Sequence, residues 1–161
     1  MKMKRRTAAG LLAVLGCLSV ESAQAATPVD RELRAALAAG PPGGRLTGPH
    51  EISWAEQGVT LTVAARKREP VNYRTCRRLE VCLWQDRDAT GRRIAFKKYG
   101  TYKLRRFGMA GGGKGAGSYY NHQCCGARAT LIGPNFRYAL STWGNVPRAM
   151  NDRATYVRLF P

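Results

Sequence analysis

The sequence is poor in the side chains on which most enzymes depend. It has two histidines, His50 and His122, and ten acidic residues against 27 lysines and arginines. The acidic residues are scattered, and none are spaced as a general acid/base pair. His122 could serve as a base for Cys124 or Cys125, but strand geometry would not bring either thiol to the imidazole. We therefore expect a protein that is not an enzyme and that needs no cofactor.

Long apolar runs are absent after the first 25 residues, so we expect no membrane span. Within those residues, a basic start is followed by an apolar run over residues 8–20 and by Ala23-Gln24-Ala25. This is the pattern of a secretory signal peptide, which predicts that residues 1–25 are removed and that the mature protein is extracellular. A lipid anchor on Cys17, in a lipobox-like sequence, is the minor alternative.

The shortage of acidic residues leaves a formal net charge of +17 on the full chain. Removing the predicted signal takes away four basic residues and Glu21, so the mature chain carries about +14 (23 minus 9). Such a charge favours anionic partners, among them the acidic polymers of a cell envelope. Basic doublets interleaved with aromatic residues also occur in nucleic-acid-binding proteins, but secretion argues against that use, and we expect no nucleic acid. We expect a monomer.

Four cysteines remain after the predicted cleavage: Cys76, Cys82, Cys124 and Cys125. In an oxidising compartment all four are disulfide candidates, and four cysteines allow three pairings. Cys76 and Cys82 can close a short loop, whereas a bridge between the adjacent Cys124 and Cys125 would be strained. The lack of a CxxC pair argues against a zinc site.

The mature chain divides into an N-terminal extension, residues 26–75, and a β-rich domain, residues 76–161. In the extension, Thr27 and Pro28 followed by Asp30 predict a capped helix over residues 28–39. A turn-rich linker follows over residues 40–49, and residues 51–54 and 59–63 predict a β-hairpin.

After Cys76 the chain consists of short strand-like segments separated by glycine turns, which predicts an all-β sandwich or barrel. The predicted strands cover residues 81–86, 92–100, 118–123, 128–132, 136–140 and 155–160.

An internal repeat supports this β-rich domain. The sequence NDRATYV, residues 151–157, aligns with KGAGSYY, residues 114–120, at an offset of 37 residues. The alignment indicates two copies of a Greek-key unit, each of which lends strands to the sheet of the other. The predicted core is apolar or aromatic and consists of Trp84, Ile94, Phe96, Tyr120, Leu131, Ile132, Leu140, Val157 and Leu159.

Three stretches resemble the secreted actinobacterial proteins of peptidase inhibitor family I36, which share the βγ-crystallin fold. They are residues 76–96, with a Cys-x5-Cys start, the turn at residues 133–136, and the ending at residues 151–159. The resemblance implies a βγ-crystallin-like double Greek-key sandwich, here preceded by a short helix and a β-hairpin. It also implies inhibition of a metalloprotease by a loop that enters the protease cleft. The alternative function is a non-inhibitory, cationic βγ-crystallin-like protein that binds anionic cell-envelope polymers.

The resemblance leaves the inhibitory loop open. Inhibitors of this family use a disulfide-tethered loop, which the adjacent Cys124 and Cys125 do not reproduce. Two other loops are candidates, and the glycine-rich one, residues 111–117, would be poorly ordered. The preferred inhibitory loop therefore consists of Lys97, Lys98, Tyr99, Gly100, Thr101, Tyr102 and Lys103.

The crystallin resemblance also implies a possible place for calcium at Asn151, Asp152 and Thr155. Calcium needs several oxygen ligands, usually including carboxylates. Asp152 is the only carboxylate in the two aligned stretches, residues 114–120 and 151–157, and the other stretch brings Lys114, a cation. We therefore expect no metal, with Asn151 and Asp152 serving to cap a turn.

The three tryptophans allow one more hypothesis. Trp54, Trp84 and Trp143 could form a carbohydrate-binding surface, although such residues more often pack in a core or at its rim.

Overall fold

The computed structural model describes residues 26–64, 73–109, 113 and 115–161. The predicted signal peptide, its alternative lipid site Cys17, and Lys114 lie outside the described residues. The described chain forms one α-helix, α1 (Pro28–Ala39), and two short 3-10 helices, Tyr73–Thr75 and Leu104–Phe107. Its strands are β1 (Arg45–Gly48), β2 (Glu51–Trp54), β3 (Val59–Thr62), β4 (Val81–Trp84), β5 (Arg93–Phe96), β6 (Gly100–Lys103), β7 (Ser118–Asn121), β8 (Arg128–Gly133), β9 (Phe136–Leu140), β10 (Trp143–Asn145) and β11 (Tyr156–Phe160).

Helix α1 begins with the capping box that the sequence predicts. The Thr27 hydroxyl oxygen accepts a hydrogen bond from the Asp30 N–H at 3.1 Å, and the Asp30 carboxylate accepts one from the Thr27 N–H at 2.9 Å. These bonds satisfy two backbone donors at the helix start. The Thr27 hydroxyl also donates to the Asp30 carboxylate at 2.8 Å, and this bond, together with the one from the Thr27 N–H, lowers the pKa of Asp30. Leu33 and Ala36 lie on one helix face and are buried in the main core. The predicted helix is confirmed.

The strands form two antiparallel sheets, which confirms the all-β prediction. The seven-stranded sheet has the order β1-β2-β3-β5-β4-β7-β10, and the four-stranded sheet has the order β6-β11-β8-β9. Each repeat copy returns its last strand beside its first, β7 beside β4 and β11 beside β8, as a Greek key does. The third strands are exchanged, because β6 pairs with β11 and β10 pairs with β7. The copies therefore lend strands to each other as predicted.

The N-terminal hairpin of β2 and β3 is also confirmed, and it continues the larger sheet. Strand β3 pairs with β5, with Val59 opposite Phe96. Residues from the predicted extension and from the predicted Greek-key domain thus share one sheet. Trp54, at the end of β2, is fully buried, donates its indole N–H to the Pro41 carbonyl at 3.0 Å, and packs edge-to-face on Phe107.

Strand alternation decides which side chains enter the core. In β8, Leu131 is fully buried while Ile132 is only partly buried, because neighbouring residues face opposite sides of the sheet. In β7, Tyr119 lies in the main core and Tyr120 packs on the opposite face. Of the predicted core residues, Tyr120 packs against the smaller cluster while Tyr119 enters the main core, and Ile132 is only partly buried. The remaining predicted core residues are buried: Trp84, Ile94, Phe96, Leu131, Leu140, Val157 and Leu159.

A second, smaller cluster covers the outer face of the seven-stranded sheet. Trp84 belongs to it, together with the disulfide between Cys76 and Cys82 and the partly buried ring of Tyr73. Tyr73 packs edge-to-face on Trp84, with ring centroids 5.5 Å apart. One disulfide, between Cys76 and Cys82, is therefore formed, while Cys124 and Cys125 are free, and the bridge ties the start of β4 to the segment before it.

Strands β1, β6 and β10 were absent from the predicted strands. Each has three or four residues, and β6 and β10 pair with strands of the other repeat copy. Their sequences RLTG, GTYK and WGN carry little apolar alternation. The strand character of β6 and β10 comes from the distant partner rather than from local sequence, whereas β1 pairs with the adjacent β2.

Removing the disulfide should destabilise the fold. The double variant Cys76→Ala/Cys82→Ala opens a loop between cysteines six positions apart, and the lost constraint on the unfolded chain is worth about 2 kcal/mol. Urea unfolding at neutral pH should show this loss in the free energy of unfolding. The double variant Cys124→Ser/Cys125→Ser, at two free cysteines, should unfold like the parent protein. An equal loss in both variants would contradict the prediction.

A hydrogen bond between the two sheets should make stability sensitive to alkaline pH. The hydroxyls of Tyr119 in β7 and Tyr138 in β9 lie 3.2 Å apart, and this bond, with burial, raises the pKa of Tyr138 to about 12. An ordinary tyrosine has a pKa of about 10. The folded state therefore keeps this proton more tightly, and the associated stability is complete below pH 10 and is lost as pH rises towards 12.

We expect the free energy of unfolding to fall between about pH 10 and pH 12. Tyr138→Phe should make that fall less steep, because the variant has no phenol at this position to ionise. Tyr156→Phe, at an exposed tyrosine, is the control and should keep the parent slope. Chemical denaturation at a series of pH values measures both slopes, and identical slopes in Tyr138→Phe and the parent would refute the assignment.

Candidate functional site

An exposed turn carries the chain from one sheet to the other. It lies between Phe96, the last residue of β5, and Gly100, the first residue of β6, and we call residues 97–99 the crossing turn. Packed sheets lie about 10 Å apart, and the four residue steps from Phe96 to Gly100 span at most about 14 Å. The crossing turn therefore has little slack. Its residues are all exposed, and Tyr99 is 56% exposed.

A second turn supports the crossing turn from the side. This turn, residues 55–58, joins β2 to β3, so it belongs to the N-terminal hairpin. The Lys97 N–H donates to the Gly58 carbonyl at 2.8 Å, and the Lys98 ammonium donates to the Glu56 carbonyl at 2.6 Å. A Cβ on Gly58 would lie 2.8 Å from the Lys98 side chain, so the close approach requires glycine there.

Tyr102, in β6, contacts both turns and adds to this support. Its hydroxyl lies 2.8 Å from the Lys98 carbonyl and 3.1 Å from the Gln57 carbonyl, so its one proton is shared between the two turns. Burial raises the pKa of Tyr102, so the phenol remains a donor to a higher pH than an ordinary tyrosine would. Sequence patterns gave no sign of the contacts with residues 55–58, because Glu56 lies 42 positions before Lys98 and Gln57 lies 45 positions before Tyr102.

The predicted inhibitory loop is shorter than expected. Of its seven residues, Lys97, Lys98 and Tyr99 form the crossing turn, whereas Gly100, Thr101, Tyr102 and Lys103 form β6 and pair with β11. A distant strand therefore supplies the hydrogen bonds that order the last four residues of the predicted loop. In the other candidate loop, residues 111–117, Gly111, Gly112 and Lys114 lie outside the described residues.

The other two cysteines do not form a reactive pair with His122. Cys124 and Cys125 are free, with sulfur atoms 2.6 Å apart, and the hydrogen bond with Cys124 raises the pKa of Cys125. A raised pKa disfavours the nucleophilic thiolate. The His122 imidazole stacks on Tyr120, and its Nδ1 lies 3.0 Å from the Cys76 carbonyl oxygen. His122 is thus held by other groups.

Among the described residues, the cluster of potential metal ligands consists of Cys76, Glu80 and Cys82. The sulfur atoms of Cys76 and Cys82 are joined in a disulfide, so neither is a thiolate that could bind a metal.

The calcium candidates lie where the two repeat copies touch. Gly115 and Asp152 occupy equivalent positions of the repeat, and the Gly115 N–H donates to the Asp152 carboxylate at 2.8 Å. The other carboxylate oxygen accepts from the Asn151 amide at 3.0 Å, and the Thr155 hydroxyl donates to the Ile132 carbonyl. The buried Oδ1 of Asn151 has no hydrogen-bond partner. It is one oxygen, where calcium takes about six to eight.

The tryptophans separate into two groups. Trp54 and Trp84 are fully buried, so the hypothesis of a three-tryptophan carbohydrate surface is wrong for these two. Trp143 is 61% exposed and, with Tyr73 and Tyr120, borders a cavity of about 440 Å³. Trp84 is also one of the predicted core residues, and its burial confirms that prediction.

Asp152 should stabilise the junction of the copies rather than bind calcium. Asp152→Ala removes the acceptor for the Gly115 N–H and should lower the free energy of unfolding by about 1–2 kcal/mol. Asp152→Asn keeps one acceptor oxygen and should retain most of the stability. Calcium should leave the melting temperature of the parent protein unchanged. A calcium-dependent rise that is lost in Asp152→Ala would show that a metal site is present.

The described part of the chain contains no helix long and apolar enough to cross a membrane. No curated protein and no solved structure matches the chain. The sequence model of a protein family, peptidase inhibitor family I36, matches residues 69–157, which is 89 of 161 residues. That span holds the disulfide, the crossing turn and both repeat copies, and membership of an inhibitor family indicates a binding protein with a protease as its partner. The chain therefore belongs to peptidase inhibitor family I36.

Proposed function

We propose that this protein is secreted and inhibits an extracellular metalloprotease by placing the crossing turn in the protease cleft. The observation that carries the proposal is the combination of exposure and restraint in residues 97–99. The turn is fixed at both ends by different sheets and along its side by residues 55–58. Secretion rests on the signal-peptide pattern of residues 1–25.

Restraint matters because a flexible loop loses conformational freedom when it binds. Each immobilised side chain costs about 0.5–1.5 kcal/mol, and a turn that the fold has already ordered avoids much of this cost. A protease also cleaves a loop most readily when the loop can adapt to the cleft. Support from two sheets and a second turn opposes such adaptation.

Tyr99 is the side chain of the crossing turn best placed to anchor a complex. The Lys98 ammonium is bonded to the Glu56 carbonyl, which draws that side chain back towards the fold. Tyr99 is more than half exposed, and tyrosine is among the residues enriched at binding hot spots. We assign Tyr99 the central contact and Lys97 a contact beside it.

The N-terminal hairpin has a defined part in this proposal. Gly58 and Glu56 supply the carbonyls that hold the crossing turn and Gln57 supplies one to Tyr102, although all three precede the segment that matches the family. Residues 55–58 would therefore act as positioning residues that need not touch the protease.

Tyr99→Ala should weaken inhibition without changing the fold. Loss of a hot-spot side chain costs about 2 kcal/mol, which raises the inhibition constant about 30-fold. The oxidised mature protein is assayed against thermolysin-like metalloproteases and against serine proteases, with circular dichroism to confirm folding. Tyr156→Ala, at an exposed tyrosine on a different surface, is the matched control and should inhibit like the parent protein.

Two outcomes would overturn the proposal. The first is no inhibition of any protease in the panel at micromolar protein. The second is an equal loss in Tyr99→Ala and Tyr156→Ala, which would place the contact elsewhere. Inhibition should also survive high salt, because a packed turn in a cleft depends little on screened surface charges.

A further inference from the structure

The outer face of the four-stranded sheet carries exposed cations. Alternation along β6, β8, β9 and β11 turns one set of side chains to the core and the other set outward. Four outward residues are cations, and all four are exposed: Lys103, Arg128, Arg137 and Arg158. We call these four residues the cationic face.

The strand register places these cations close together. Tyr156 lies opposite Lys103 on one side and Ile132 on the other, and Ile132 lies opposite Arg137, so one row crosses all four strands. Neighbouring strands are about 4.8 Å apart, which makes this row about 14 Å wide. Arg158 lies two residues along β11 from Tyr156, and Arg128 pairs with Phe160.

No negative charge offsets the cationic face from within its own sheet. Strands β6, β8, β9 and β11 contain no aspartate or glutamate. The outer faces of the two sheets differ in what they carry. An apolar cluster around the Cys76–Cys82 disulfide packs on the seven-stranded sheet, whereas the four-stranded sheet carries the cationic face. Like charges held side by side repel, and a bound polyanion would relieve that repulsion.

The contacts of the Phe160 ring help to distinguish which kind of polyanion the cationic face would bind. The guanidinium carbons of Arg128 and Arg158 lie 5.0 and 5.6 Å from the centre of its ring, within the range of cation–π contacts. Proteins that bind single-stranded nucleic acid stack bases on open aromatic rings. Here the ring already contacts two guanidinium groups, which hold two positive charges at one place and leave the ring less available to a base.

We propose that the cationic face binds a phosphate-rich polymer of a cell envelope and thereby holds the inhibitor at an anionic surface. Arginine guanidinium groups bind phosphate oxygens through paired N–H donors, and the flat face offers several such groups to successive phosphates of one polymer. The cationic face and the crossing turn share no residues, so polymer binding does not require that the proposed inhibition be correct.

The test compares two triple variants that lose the same charge. Arg128→Gln/Arg137→Gln/Arg158→Gln removes three cations of the face, and Arg34→Gln/Arg45→Gln/Arg78→Gln removes three exposed cations from other parts of the chain. Binding of a labelled poly(glycerol phosphate) is measured by fluorescence anisotropy at several salt concentrations. A single-stranded oligonucleotide of equal charge is the second probe, and thermal unfolding checks that both variants are folded.

We expect the face variant to bind the poly(glycerol phosphate) at least about tenfold more weakly than the parent, with the control variant close to the parent. The slope of log affinity against log salt should become shallower by about 2, which is three contacts at about 0.7 each for a flexible strand. Protease inhibition, if present in the parent, should be unchanged in the face variant.

Three results would overturn the proposal. Equal weakening of both triple variants would show that net charge alone drives binding. Unchanged binding by the face variant would place the polymer on another surface. Tighter binding of the oligonucleotide than of poly(glycerol phosphate), lost in the face variant, would identify the face as a nucleic-acid surface instead. A face variant that fails to fold is replaced by Arg137→Gln/Arg158→Gln, judged by the same comparison.

Discussion

The exchange of β6 and β10 between the two sheets is the constraint that shapes this protein. Neither repeat copy can complete a sheet with its own strands, because each gives its third strand to the other. The two sheets are therefore bound together through the backbone as well as through the core between them. Any connection into an exchanged strand must cross from one layer to the other, and such a crossing has to be short and well held.

The crossing turn shows what this constraint provides. Residues 97–99 are exposed like a surface loop, yet their ends belong to two different sheets. The N-terminal hairpin adds a third point of support through the carbonyls of residues 55–58. Exposure and restraint usually oppose each other in loops, since exposed segments make few contacts. Strand exchange allows both here, and it connects the fold directly to the proposed inhibition.

Sequence reasoning recovered the features that local patterns encode. The capping box of Thr27 and Asp30 marked the start of α1, and apolar alternation marked β2, β3, β8 and β9 within one or two residues. The offset of 37 residues between the copies also predicted the exchange itself. Each of these signals depends on residues that are near one another in sequence or that repeat at a fixed spacing.

The misses have a common physical cause. Strands β6 and β10 owe their order to partners in the other copy, and the support of the crossing turn comes from carbonyl groups, which every residue type possesses. Backbone acceptors leave no trace in a sequence. The core prediction names Tyr120 instead of Tyr119, and Ile132 together with Leu131, because an apolar pair on a strand does not show which member faces inward. The cationic face likewise emerges only when four separate strands are aligned.

The contact between Gly115 and Asp152 bears on how such a fold can arise by duplication. A symmetric dimer of one repeat would place the same residue at both positions, since a two-fold interface is self-complementary. Two aspartates would bring like charges together, and a side chain in place of Gly115 would meet the Asp152 backbone at 2.4 Å. When the two copies are joined in one chain, the equivalent positions no longer have to carry the same residue. One position can then be a glycine, Gly115, which leaves room for the other copy. The other position can be Asp152, whose carboxylate accepts a hydrogen bond from the Gly115 N–H across the former symmetry axis.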